Sequence, residues 1–163
     1  MKIVKICGPC DGKRLFAAAR TWLNTPYQHA QRVKGVGVDC VGLVLAAAEE
    51  AGLFDPADWD VPTQYSPWVN AAQLQAQIDR FLRPLRDKEP LQSGDVLLLD
   101  IDGSAQHVAI YGEPRPGRPR ATIVHASLSV GRVIEHGYER FWEDRTVARY
   151  RLRRRAPQEP ADG

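Results

Sequence analysis

The sequence predicts an α+β fold, with helices packed on one side of a five- or six-stranded antiparallel sheet. Three observations carry that prediction. Helix-periodic, alanine-rich stretches fill the first half of the chain. Short apolar and β-branched runs separated by turns fill the second half, from Leu91 onward. The length, 163 residues, suits one domain with a sizeable core.

Met1–Ile6 alternates loosely and reads as a short strand or a frayed tail. DGKRLFAAARTWL, residues 11–23, reads as a helix with Asp11 as N-cap and with Leu15, Phe16, Ala19 and Leu23 on one face. Asn24-Thr25-Pro26 stops it, because the residue before a proline is pushed out of helical conformation. The glycine-spaced loop VKGVGVD follows. CVGLVLAAAEEAG, residues 40–52, is the second helix, with Asp39 as N-cap and Gly52 just past its end. Residues 53–69 read as an ordered connection with prolines between aromatics, and Asn70 as the cap of a third helix, AAQLQAQIDRFL. After the turn at Leu91–Gly94 the period changes. DVLLLDI, QHVAIYG, ATIVHAS, GRVIEHG and TVARYRL are strands, and GEPRPGRPR, residues 112–120, is a long hairpin loop. The sequence thus predicts one domain over residues 1–155, with 1–10 as a terminal extension and 156–163 as a disordered tail.

Composition narrows the function. Apolar residues make up 44% and charged residues 26%, with a net charge of +2, which points away from nucleic acid or an anionic membrane as a partner. Residues 41–78 hold no Lys or Arg, and residues 140–155 carry seven arginines. Both read as solvated surface. No apolar run reaches the ~18 residues of a membrane helix. MKIVKICGPC has a basic start without an apolar core, so it does not read as a signal peptide, and synthesis into the cytoplasm is the expectation.

Three cysteines do not make a disulfide scaffold. Cys7 and Cys10 form a Cys-Gly-Pro-Cys pair resembling a redox dithiol. The chain after them does not continue as the βαβ unit such a dithiol needs, and no nearby residues complete a zinc site. No metal and no cofactor is expected. Cys40 stands at the first turn of an apolar helix after a glycine-rich loop, where the helix dipole favours a thiolate. From position alone a small buried core cysteine, as most free cysteines are, is the favoured reading. The histidines shift the balance. His107 opens HVAIYG and His125 lies in IVHAS. In a hairpin whose paired numbers sum to 232 they face each other directly, with both rings on one side of the sheet. A nucleophile at a helix start, a base on a strand and a polar partner on the next strand is the logic of an activated thiol. His29 and His136 lack such partners and read as surface residues.

TPYQHAQRVKGVGVDCVGLV, then SGDVLLLDIDGSAQHVAIYG, then IVHAS resembles, in that order, the NlpC/P60 cysteine peptidases, over about residues 13–152. The likeness is closest to the prophage-encoded branch of tail-associated cell-wall peptidases. The resemblance implies a compact papain-like fold, with Cys40 as nucleophile, His107 as general base and His125 orienting the imidazole. It implies that Tyr27 helps hold an oxyanion and that Asp39 shapes the pocket. The implied reaction is hydrolysis of an amide bond in the peptidoglycan stem peptide, between D-Glu and the diamino acid. The implied setting is a phage tail or tail-like particle, with tail proteins as partners. A tail structural component with an idle site, and an amidase or acyltransferase on the same fold, are the alternatives. Two departures stand out. The usual DCSGL is DCVGL here, so Val41 offers no hydroxyl. The 112–120 loop is long, and its Arg115, Arg118 and Arg120 either read substrate carboxylates or form a solvated tip.

Overall fold

The computed structural model describes residues 9–55, 57, 76, 79–101 and 104–153. The strand or tail expected at Met1–Ile6, Cys7, most of the 53–69 connection and the tail after Arg155 lie outside the described residues, as does most of the third helix.

The chain order begins with α1 (Pro9–Arg20), β1 (Arg32–Val33), β2 (Gly37–Val38) and α2 (Cys40–Glu50). It continues with β3 (Leu82–Pro84), β4 (Val96–Ile101), β5 (Ser104–Gly112), β6 (Thr122–Ser127) and β7 (Arg132–Gly137). A one-turn helix, α3 (Arg140–Glu143), leads into β8 (Thr146–Leu152). The main sheet has six strands in the order β3-β8-β4-β5-β6-β7, and every neighbouring pair is antiparallel. The expected α+β architecture, helices on an antiparallel sheet, is what the chain adopts.

Several boundaries differ from the sequence reading. α1 starts at Pro9, since proline suits the first helical position, whose N–H has no intrahelical partner. Asp11 therefore sits buried within the first turn, favourably placed for the helix dipole, rather than at the cap. Leu82, expected in the third helix, instead starts the edge strand β3 and pairs with Leu152. Pro84 explains this: it cannot extend a helix, and an edge strand tolerates its missing N–H. The glycine loop carries a two-stranded ribbon, Arg32–Val33 with Gly37–Val38, too short for any periodicity to announce.

The two faces of the sheet bury different clusters. On one face Leu15, Phe16, Ala19 and Trp22 of the α1 region and Leu43, Ala46 and Ala47 of α2 pack on Ile110, Val124, Ala126 and Val133. Alanine at 46, 47 and 48 lets α2 lie close to the strands, and that is why this helix reads as apolar nearly all round. On the other face Leu97, Leu99, Ala109 and Ile123 are covered by Tyr111, Tyr138 and Trp142. α2 ends where Gly52 takes φ +73°, a left-handed conformation that L side chains adopt only with strain.

Candidate active site

Cys40 owes its position to two local devices. The first is the cap. Asp39 is extended, and its Oδ1 accepts the N–H of Gly42 at 2.7 Å. Its Oδ2 accepts the N–H of Ala30 at 2.9 Å, tying the preceding loop beneath the helix start. Asp39 is 2% exposed, so its carboxylate acts on the backbone around the site from below. A Cβ on Gly42 would lie 2.9 Å from that same Oδ1 and 3.0 Å from the Gln31 carbonyl, so only glycine leaves room for the cap. The second device is the Thr25-Pro26-Tyr27 segment, laced between two strands. Tyr27 N–H donates to Gly131 O at 2.8 Å and Val133 N–H to Thr25 O at 2.9 Å. On its other side Val38 N–H donates to Pro26 O and Gln28 N–H to Val38 O.

The half-buried thiol of Cys40 meets β5. β5 and β6 pair only from Ile110–Gly112 to Thr122–Val124. Past that stretch the N–H of Val108, which follows His107, hydrogen-bonds the Cys40 sulfur. The N–H groups of Val41 and of Cys40 itself also favour the thiolate. They are outweighed. Burial, then the Asp39 charge, pushes the thiol up to about 11. Burial and the Asp39 charge thus outweigh the N–H groups, and the resting group is S–H rather than the thiolate expected at a helix start. Tyr27 lies beside it. Its phenol is pushed up to about 12 by burial, then by Cys40 and Asp39, so the hydroxyl keeps its proton and remains a donor.

The histidines lie on the face of the sheet that carries Leu97 and Leu99, since His107 pairs with Leu99. The β5–β6 register sums to 234 and not to the expected 232. A shift of two preserves the face. It sets His107 and His125 on a diagonal, still within reach of two ring side chains. Nε2 of His107 is 2.7 Å from Nδ1 of His125, with ring centroids 4.9 Å apart. Burial pushes His107 down to about 4. Burial, then the neighbouring His107 and His136, pushes His125 down to about 3. Both imidazoles are thus neutral at neutral pH.

His136 is no surface residue, contrary to the sequence reading. It is half-buried, its Nε2 lies 2.7 Å from Nε2 of His125, and Trp142 lies against both rings, with centroids 4.7 and 5.4 Å away. Period 2 along VIEHG put His136 on one face. Only the register Ile123↔His136 shows that this is the face of His125. His29 is exposed, with its Nδ1 4.0 Å from Asp39 Oδ2. Val41 packs its methyls against the cluster of Leu82, Val96, Leu98, Val108 and Tyr150. Cys10 is exposed in the first turn of α1.

The arginine-rich loop stands at the other end of β5 from His107. Arg115 is bound to Glu135 and Thr122 Oγ1 and lies over the Phe16 ring, so it anchors the loop to the body. Arg118 and Arg120 are exposed. Gly112 is five residue steps along the strand from His107, roughly 16 Å at the usual rise. The solvated-tip reading fits Arg118 and Arg120, while Arg115 is part of the body.

No curated protein matches the chain. Solved structures do. NlpC1 from Trichomonas vaginalis superposes with a TM-score of 0.56 at 18% identity, covering 93% of this chain but 45% of that one. An N-acetylmuramoyl-L-alanine amidase from Bacteroides uniformis gives 0.61 at 13% identity, covering 88% of this chain and 99% of that one. The peptidoglycan hydrolase RipB from Mycobacterium tuberculosis gives 0.57 at 20% identity, covering 87% and 64%. At such identities the likeness is one of fold, and the chain spans less than half of the Trichomonas protein. One family model, described as the NlpC/P60 family, matches residues 24–151, from the turn before Tyr27 into the last strand. On that span, which is most of its length, the chain belongs to the NlpC/P60 family.

Proposed function

We propose that the chain is a cysteine peptidase of the peptidoglycan stem peptide, cutting between D-Glu and the diamino acid. The observation that carries the reading is a Cys40 sulfur at a helix start, hydrogen-bonded by the N–H of Val108, next in sequence to the buried His107 whose Nε2 is engaged by His125. Nε2 of His107 is taken up by His125, which leaves Nδ1 as the nitrogen to face Cys40. The family and the names of its fold neighbours supply the substrate. A peptidoglycan hydrolase and a muramoyl amidase stand among them. The likeness of the three sequence words to tail-associated members supports the same setting for this chain.

The reaction follows from the protonation states. As the Cys40 sulfur attacks the scissile carbonyl, its proton passes to Nδ1 of His107. Negative charge gathers on the carbonyl oxygen. The Tyr27 hydroxyl and the Cys40 N–H are the donors that meet it. The imidazolium then protonates the leaving amine and a thioester remains. Water adds to the thioester with His107 again as base, and the thiol is regenerated. A thiol near 11 and an imidazole near 4 make the resting pair neutral, so charge separation appears only along the reaction path.

The test is incubation with purified stem peptides followed by mass spectrometry, wild type beside Cys40→Ala. The reading expects two fragments split at the D-Glu carbonyl with wild type and none with the variant. Intact peptide with both would favour a scaffold with an idle site.

A further inference from the structure

The hydrogen-bond chain does not stop at His125. Nε2 of His125 meets Nε2 of His136 at 2.7 Å, and Nδ1 of His136 meets the carbonyl oxygen of Gly137 at 3.0 Å. The three histidines descend diagonally across β5, β6 and β7, and Trp142 covers the last two.

A carbonyl oxygen can only accept, and this fixes every proton in the chain. Nδ1 of His136 must carry hydrogen. In a neutral ring Nε2 of His136 is then bare and must accept. Nε2 of His125 is therefore the donor to it, and Nδ1 of His125 is bare. Nε2 of His107 must in turn donate to that nitrogen, so Nδ1 of His107 has no hydrogen. That is the atom the reaction needs as a base.

We propose that His136 is a positioning residue: the Gly137 carbonyl, through His136 and His125, selects the His107 tautomer whose Nδ1 can take the Cys40 proton. This rests on the roles given to Cys40 and His107 above. The alternative order, with every donor reversed, places hydrogen on Nδ1 of His107 and leaves no base. Removing the acceptor at 136 makes both orders available to His125 and hence to His107. A wrong tautomer in such a chain is costly, because the ring geometry survives while the lone pair is lost.

The test compares His136→Phe with His136→Gln in the full chain. Glutamine can accept from His125 through its carbonyl and donate to Gly137 through its amide, so it preserves the order. Phenylalanine fills the space and does neither. With 15N-labelled histidine at pH 7, wild type should show His107 and His125 both protonated on Nε2 and His136 on Nδ1. His136→Phe should populate the Nδ1–H form of His125 and lower kcat about 10- to 100-fold with KM unchanged, the range seen for lost orienting partners. His136→Gln should recover most of kcat. Hydrogen on Nδ1 of His125 in wild type would overturn the proposal. So would a His136→Phe variant with unchanged tautomers and kcat. The NMR readout needs no substrate. Wild type that shows these tautomers yet leaves stem peptide intact would refute the proposed function while supporting the proton order.

Discussion

Nε2 of His107 and Nδ1 of His125 lie 2.7 Å apart, joining adjacent strands through their rings where the backbone pairing of those strands has already ended. The contact takes up one nitrogen of His107, Nε2, and leaves Nδ1 outside it. It also brings two buried rings together, and each disfavours a charge on the other. Their protonation is therefore a property of the pair, and acid should show it.

Both rings sit far below the ordinary histidine value near 6.5, His107 at about 4 and His125 at about 3. Between about pH 4 and 6.5 the unfolded chain binds these protons and the folded chain does not. Stability therefore rises with pH across that window and falls as the solution is acidified. Urea midpoints measured from pH 7 to pH 4 should drop. The His107 shift alone is worth on the order of 3 kcal/mol by pH 4. A His107→Gln/His125→Gln double variant should lose much of this slope. An equal slope in the variant would place the acid sensitivity elsewhere.

The alkylation profile of Cys40 should resemble that of a buried thiol. With the group near 11, the iodoacetamide rate should climb about tenfold per pH unit between pH 7 and 10. A small free thiol, with pKa about 8.5, levels off over the same range. A plateau already at pH 6–8 would mean that helix dipole and imidazole hold a thiolate.

Asp39 supports both the loop and the helix. Asp39→Ala strands the N–H groups of Gly42 and Ala30, at about 1–3 kcal/mol for each buried donor left unpaired. The unfolding free energy should fall by about 2–4 kcal/mol in urea titration. Asp39→Asn keeps one acceptor and removes the charge that raises the thiol, so its alkylation profile should move to lower pH. No shift in that profile would remove Asp39 from the electrostatics of Cys40.

Tyr27→Phe keeps the ring packed on the core and the backbone bonds of its segment, and deletes only the hydroxyl. If that hydroxyl meets the oxyanion, kcat for stem peptide should fall about 10²–10³-fold, the loss typical of one such donor. The melting temperature should hardly change. An unaltered kcat would assign the oxyanion to backbone N–H groups alone.

Much of this was legible in the residues. Asp39 before an apolar helix announced the cap, and alternation in the second half announced the strands. The expected pairing sum of 232 put His107 and His125 on one face; a slip of one residue would have parted them, but the observed sum of 234 is an even shift, which changes neighbours without changing faces. Other features depended on register or on competing magnitudes. His136 looked like a surface residue because nothing in VIEHG tells which strand lies beside it. The thiol looked acidic because a helix start is visible in sequence and desolvation is not. Arg115 stood between substrate reader and solvated tip, and it is neither: Glu135, twenty residues on, is its partner.

The central claim is that the Cys40 sulfur carries the acyl group. Mixing wild type with a stem-peptide substrate, quenching in acid within the first turnover and weighing the intact protein tests it most directly. A thioester should add the mass of the acyl fragment, and fragmentation should place it on the peptide containing Cys40. Cleavage that proceeds with no adduct there, or that survives Cys40→Ala, would contradict the mechanism.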